Sequence, residues 1–305
     1  MNTPDPASLR EAVRSNYAAV VQPPPTPTPS TDPGEARAGA DSCCAPTGCC
    51  GGTELAGQAD PEALARSLGY DPADLVLLPP EANLGLSCGN PGAIAALQPG
   101  ETVLDLGSGA GFDAFLAGPR VGAAGRVVGV DMTPEMLAAA RAKLRDYRDR
   151  TGLANVEFRL GEIEHLPVAD HSVDVVLSNC VLNLSPDKAQ VWREIARVLR
   201  PGGRVAISDL ALLQPLPEAI ASDVEALVGC IAGAPLLAEV RAWVAQAGLA
   251  PLRVEAQPQA VEAMYPPGSP LRDRLEEALP NGRSLADYLV SAHLATEAVG
   301  EGRAD

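Results

Sequence analysis

From about residue 100 onward, short apolar runs alternate with longer stretches in which apolar residues recur every three to four positions. The runs at 102–106 (TVLDL), 126–131 (RVVGVD), 155–159 (NVEFR), 173–179 (VDVVLSN) and 203–209 (GRVAISD) predict strands. Helices are expected between and after them, near 111–119, 134–149, 187–199, 217–232 and 236–247. Strands alternating with helices of this length predict a parallel sheet covered on both faces. The tail reads as one or two more strands (LRVEAQ, and ADYLVSAHL at 286–294) around a helix at 271–278, suited to antiparallel addition at a sheet edge. The expected fold class is α/β, with a Rossmann-like, doubly wound and mostly parallel sheet.

Ahead of the sheet, residues 8–21 have helical spacing. Ser8 and Glu11 are placed to form a capping box there. Residues 23–42 are proline and small polar residues, too poor in apolar area to offset chain entropy, and read as a linker. The stretch CCAPTGCCGG follows at 43–52, then a polar helical segment near 60–69. The expected division is an N-terminal arm over 1–52, a Rossmann-like domain over 53–212 and a smaller α+β domain over 213–305.

Hydrophobic residues make up 46% of the 305, enough for a real core. A net charge of −16 excludes non-specific binding to nucleic acid or anionic membrane, since nothing offsets phosphate repulsion. No apolar run approaches a membrane span and no basic-then-apolar leader opens the chain, so a soluble cytoplasmic protein is expected. No exposed apolar seam is evident, so a monomer is expected. The seven cysteines, an odd number, read as reduced thiols and not as a disulfide framework.

The first strand runs into Asp105, Leu106, Gly107, Ser108, Gly109, Ala110 and Gly111, then Phe112 and Asp113. A dinucleotide fingerprint needs glycine at 112, so the dehydrogenase reading fails on spacing. A glycine-rich strand-to-helix turn still lets a ligand approach backbone N–H groups at a helix start. Asp105 suits a ligand ammonium group and would repel a pyrophosphate. Asp131, 24 residues after Gly107 and followed by Met132, is placed to accept hydrogen bonds from ribose hydroxyls.

Three cysteines sit in loop or strand-end settings: Cys88 in NLGLSCGNP, Cys180 in SNCVLNL directly after Asn179, and Cys230 in GCIAGA. Each taken singly fits a buried, inert thiol. Together, beside Gly or Asn, they suggest a ligand set. CxxC pairs are absent and His165, His171 and His293 lack ligand spacing, which argues against zinc. Three separated thiols suit a three-coordinate soft centre.

The glycine turn with Asp105 and Asp131 resembles class I S-adenosylmethionine-dependent methyltransferases. That resemblance implies Gly107, Ser108 and Gly109 around the amino-acid end of S-adenosylmethionine. It also implies Asp131 on the ribose, and Glu162 and Ile163 of GEIEHLP at the adenine. Glu164 in that run reads equally well as part of an exposed acidic loop. The motifs NLGLSCGNP, DLGSGAGFD, VDMTPEML, SNCVLNLSPDK and CIAGA, in this order from about Tyr70 to Leu249, look like arsenite S-adenosylmethionine methyltransferases. That family implies Cys88, Cys180 and Cys230 as arsenic-binding thiols, with 213–305 as the cap that carries Cys230. It implies a fourth thiol from Cys43, Cys44, Cys49 or Cys50, of which Cys50 is the working candidate. The four could equally form an unspecific metal-binding tail. Ser87, where glycine is expected before Cys88, is the one departure.

The implied substrate is arsenite or its glutathione conjugate, with thioredoxin or glutathione as thiol reductant. The thiols are expected to react as thiolates, their pKa lowered by the neighbouring sulfonium. Two other readings share parts of the pattern: a quinone- or sterol-type C-methyltransferase, and a thiol metalloid-binding protein without catalysis.

Overall fold

In the computed structural model the described residues are 5–22, 60–223, 226 and 230–299. The apolar runs become β1 (Thr102–Leu106), β2 (Arg126–Asp131), β3 (Val156–Leu160), β4 (Val173–Asn179) and β5 (Leu199–Leu212), all mutually parallel. Two strands of the tail join the same sheet. β7 (Leu289–Glu297) runs antiparallel to β5, and β6 (Arg253–Gln257) runs antiparallel to β7. The order is β3-β2-β1-β4-β5-β7-β6, so the sheet continues across residue 212 and the antiparallel addition is at the β5 edge.

Successive side chains of a strand point to opposite faces, and here both faces are covered. Leu104, Leu106 and Val130 pack with Trp192 and Ile195 of the helix Lys188–Val198. Val103, Val127 and Val175 pack with Phe115 of the helix Phe112–Val121 and with Tyr147 on the other side.

Three helical expectations are corrected. α1 spans Pro6–Val21, so Ser8 lies inside it and the Ser8–Glu11 capping box does not form. Pro6 at the first position has no N–H to cap, and Glu11 instead pairs with Arg14 at 3.1 Å. The segment 134–149 is two helices, Pro134–Ala142 and Leu144–Thr151, parted at Lys143, whose N–H turns back to Ala140 O. The segment 217–232 is not one helix. Glu218–Ala221 ends early, the Asp223 side chain accepts the Ala226 N–H, and Cys230 is left-handed at φ +63°.

Candidate functional site

The carboxyl ends of β1, β2 and β4 open onto one cleft, where a doubly wound sheet binds its ligand. Asp105, Gly107, Ser108, Gly109, Asp131, Met132, Ile163, Asn179 and Cys180 all line it. Gly107 sits at φ +64°, and a Cβ there would lie 2.3 Å from Val181 Cγ2, so only glycine fits. Asp131 fixes the turn by accepting the N–H groups of Gly109 (2.9 Å) and Thr133 (2.8 Å).

The cleft fits S-adenosylmethionine in its unmet polar atoms. Asp105 Oδ2 and Ser108 Oγ are buried and lack a hydrogen-bond partner among the described residues. An orphaned buried carboxylate oxygen is costly unless a ligand completes it, and an ammonium group would. Burial, then the charges of Asp113 and Asp131, push the Asp105 carboxyl well above its usual range. Asp113 is raised to about 6 by burial, against the hydrogen bonds it accepts from Asn179 Nδ2 (2.9 Å) and Tyr70 Oη (2.7 Å).

The Glu162 carboxylate faces Arg10 of α1, itself a wall of the cleft, at 3.5 Å. Glu164 is buried, not exposed. It accepts from Ser185 Oγ at 2.7 Å and faces Arg10 at 3.4 Å.

The three cysteines meet in one buried cluster beside the cleft, whose wall includes Cys180, from the loop before the helix Pro91–Ala95, the end of β4 and the turn at 230. All three are free and buried. Cys88 Sγ donates to Ser208 O at 3.2 Å while its N–H is held by Asn179 Oδ1 at 3.0 Å. Cys230 Sγ reaches Cys180 O at 3.1 Å. Cys180 shares side-chain hydrogen bonds with both other thiols. Cys180 and Cys230 both adopt the left-handed region, at φ +58° and +63°. That region is sparsely populated for a residue with a Cβ, and strain of this kind concentrates at functional sites.

The thiols are not poised as thiolates. Burial pushes Cys88 up to about 12. Cys180 is well above its ordinary value: the hydrogen bond with Cys230 lowers it, and the bond with Cys88 together with burial outweighs that. The hydrogen bond with Cys180, followed by burial, raises Cys230. The cause is the apolar shell, which disfavours charge.

Residues not foreseen from the sequence complete this pocket. Asp209, at the end of β5's parallel stretch, is buried and raised by burial to about 7. It has one carboxylate oxygen within 4.8 Å of Cys88 and Cys180 Sγ. Tyr17 of α1 lines the cleft and shares a hydrogen bond with Cys230, and Tyr265 packs against the thiols. An acid at a strand's carboxyl end was a readable signal for Asp209; nothing local marks the two tyrosines. Cys43, Cys44, Cys49 and Cys50 lie outside the described residues. No helix among the described residues is long and apolar enough to cross a membrane.

A methyltransferase-domain family matches residues 97–248. An arsenite methyltransferase of Halobacterium salinarum is 43% identical over 94% of this chain and 66% of its own length. One from Aquipseudomonas alcaligenes is 50% identical over 46% of this chain and 41% of its own. The chain thus spans about two thirds or less of these curated relatives. Among solved structures, an arsenic(III) S-adenosylmethionine methyltransferase from Chlamydomonas reinhardtii is similar at TM-score 0.58 and 33% identity. That match covers 80% of this chain and 76% of the other.

Proposed function

The chain belongs to the arsenite methyltransferase family and has the class I methyltransferase fold, and from that premise we propose that it methylates trivalent arsenic held by Cys88, Cys180 and Cys230. The observation that carries the reading is the convergence of three free, buried thiols from remote parts of the chain, one of which lines the cofactor cleft.

When bound, S-adenosylmethionine supplies a methyl group on a sulfonium. Gly107, Ser108 and Gly109 would cradle its amino-acid end, Asp105 would take the ammonium and Asp131 the ribose, with Met132, Ile163 and Asn179 on the same walls. The thiols need not ionise first. Arsenite carries three hydroxyls, and each condensation forms one As–S bond, breaks one As–O bond, and lets the S–H proton leave with the hydroxide as water. Protonated thiols in a dry pocket are suited to that exchange. The resulting trithiolate is pyramidal and keeps a lone pair as nucleophile, so no general base is required. What the protein contributes is orientation and exclusion of water.

The reading carries with it arsenite or its glutathione conjugate as substrate, a thiol reductant such as thioredoxin or glutathione, and a reducing cytoplasmic setting. It also carries a delivery or ligand role for Cys50 or a neighbouring thiol. The test is to incubate the reduced protein with arsenite and S-adenosylmethionine and to separate the arsenic species. Methylated arsenic is expected from the wild type. Cys88→Ser and Cys180→Ser should each be slower by more than about 100-fold, beyond what losing an outer-shell partner does. Intact cofactor binding with no methylated arsenic would overturn the reading.

A further inference from the structure

We infer that the thiol floor, completed by Asp209, is also a binding site for a four-coordinate divalent thiophilic cation of the zinc and cadmium class. Such a cation would occupy it in competition with the trivalent metalloid. Cys88 Sγ, Cys180 Sγ and a carboxylate oxygen of Asp209 all lie within 4.8 Å of one another, and all three residues are buried. The fourth donor is Cys230, which lies outside that trio with its thiol turned to the Cys180 backbone oxygen at 3.1 Å, and would rotate inward to join it. Zinc takes thiolate at about 2.3 Å and carboxylate at about 2.0–2.2 Å in a tetrahedron, so the trio of Cys88, Cys180 and Asp209 closes with shifts of about an ångström.

The donors sit on held backbone. Asn179 Oδ1 fixes the Cys88 N–H, Cys180 follows β4, and the Asp209 carboxylate is steadied by the N–H groups of Leu182 (3.0 Å) and Leu210 (2.8 Å). Each carboxylate oxygen keeps a free lone pair beyond those bonds. The sequence pattern argued against zinc because ligand pairs at short spacing are missing. The fold assembles the ligands from separate elements instead.

Asp209 distinguishes the two occupants. Trivalent arsenic makes three bonds, and its lone pair fills the fourth direction, so three sulfurs satisfy it. A filled-shell divalent cation has no such lone pair and needs the carboxylate. Binding it breaks three S–H bonds and releases their protons to solvent, together with the Asp209 proton wherever that carboxyl is still protonated, with no change of oxidation state. Lys188, half-buried and within the electrostatic reach of Asp209 and Cys230, offsets part of the resulting negative charge.

The site does not depend on arsenic chemistry, so its test stands apart from the methylation assay. Cobalt(II) is titrated into the reduced full-length chain with Cys43, Cys44, Cys49 and Cys50 changed to Ser, which removes competing thiols. One equivalent should give thiolate-to-cobalt charge-transfer bands with tetrahedral d–d bands, be displaced by zinc, and release at least three protons. Adding Asp209→Asn should weaken cobalt binding by at least about 100-fold, and an unchanged far-UV circular dichroism spectrum with a cooperative urea transition shows that this variant is folded. Cadmium X-ray absorption on the chain that keeps Asp209 should give three sulfurs and one oxygen. Absence of thiolate–cobalt bands overturns the site, as does unchanged cobalt affinity in Asp209→Asn or a cadmium shell without oxygen.

Discussion

At the scale of the residue, the site is built from backbone conformations that most side chains avoid. Gly107 turns the chain at φ +64° under Val181, while Cys180 and Cys230 hold left-handed conformations despite their Cβ atoms. The two cases differ in cause. Gly107 is needed for space, and the sequence announces it, since the strand-glycine-helix pattern is local. The cysteines' strain is imposed by their surroundings and leaves no mark in composition. Gly107→Ala should cost about 2–4 kcal/mol, combining the left-handed penalty with overpacking against a stiff β-branched neighbour. Urea unfolding measures that loss. Cofactor affinity, measured by calorimetry on the folded fraction, should fall more than about tenfold. A folded alanine variant with unchanged affinity would show that this turn is not the cofactor cradle.

Among the elements, α1 does more than its amphipathic pattern suggests. Val13 is buried in the cluster that contains all three cysteines, Arg10 faces Glu162 and Glu164, and Tyr17 reaches Cys230. One helix therefore touches the loop after β3, the cofactor cleft and the thiols. The sheet's two main core clusters are built without it. Val13→Asp should detach α1 by placing a charge in an apolar seat, with little change in the main unfolding transition. The expected results are a rise of about tenfold in the dissociation constant for S-adenosylmethionine and faster alkylation of Cys230 by iodoacetamide. Slow alkylation and unchanged affinity would show that α1 does not close the site. The helix itself was legible from its spacing, but its contacts were not, because they join residues far apart in the chain.

For the whole molecule, the C-terminal strands are part of the sheet that carries the cleft. β7 pairs with β5 along nine residues, and Ser291 Oγ on it donates to Cys88 O at 2.6 Å. The tail thereby ties the thiol loop to the sheet. Ending the chain after Arg283 would strip β7, leaving β5 as a bare edge of apolar residues and β6 without a partner, a template for aggregation. The truncated chain is expected in the insoluble fraction. A soluble, monomeric truncation by size exclusion that still binds arsenite would contradict this role for β7.

The amino-acid sequence by itself determined the strands β1 to β5, the glycine turn with Asp105 and Asp131, and the three cysteines worth watching. These signals are short-ranged: a hydrophobic period, a turn that demands glycine, a thiol beside Gly or Asn. Only the tertiary structure decided that Glu162 faces Arg10 while Glu164 is buried, that Asp209, Tyr17 and Tyr265 crowd the thiols, and that the thiol pKa values rise. Each of these depends on which distant segments come together and how much water they exclude. Burial raises a carboxyl or thiol pKa through the desolvation of its charged form, and that desolvation does not exist until the chain has folded around it.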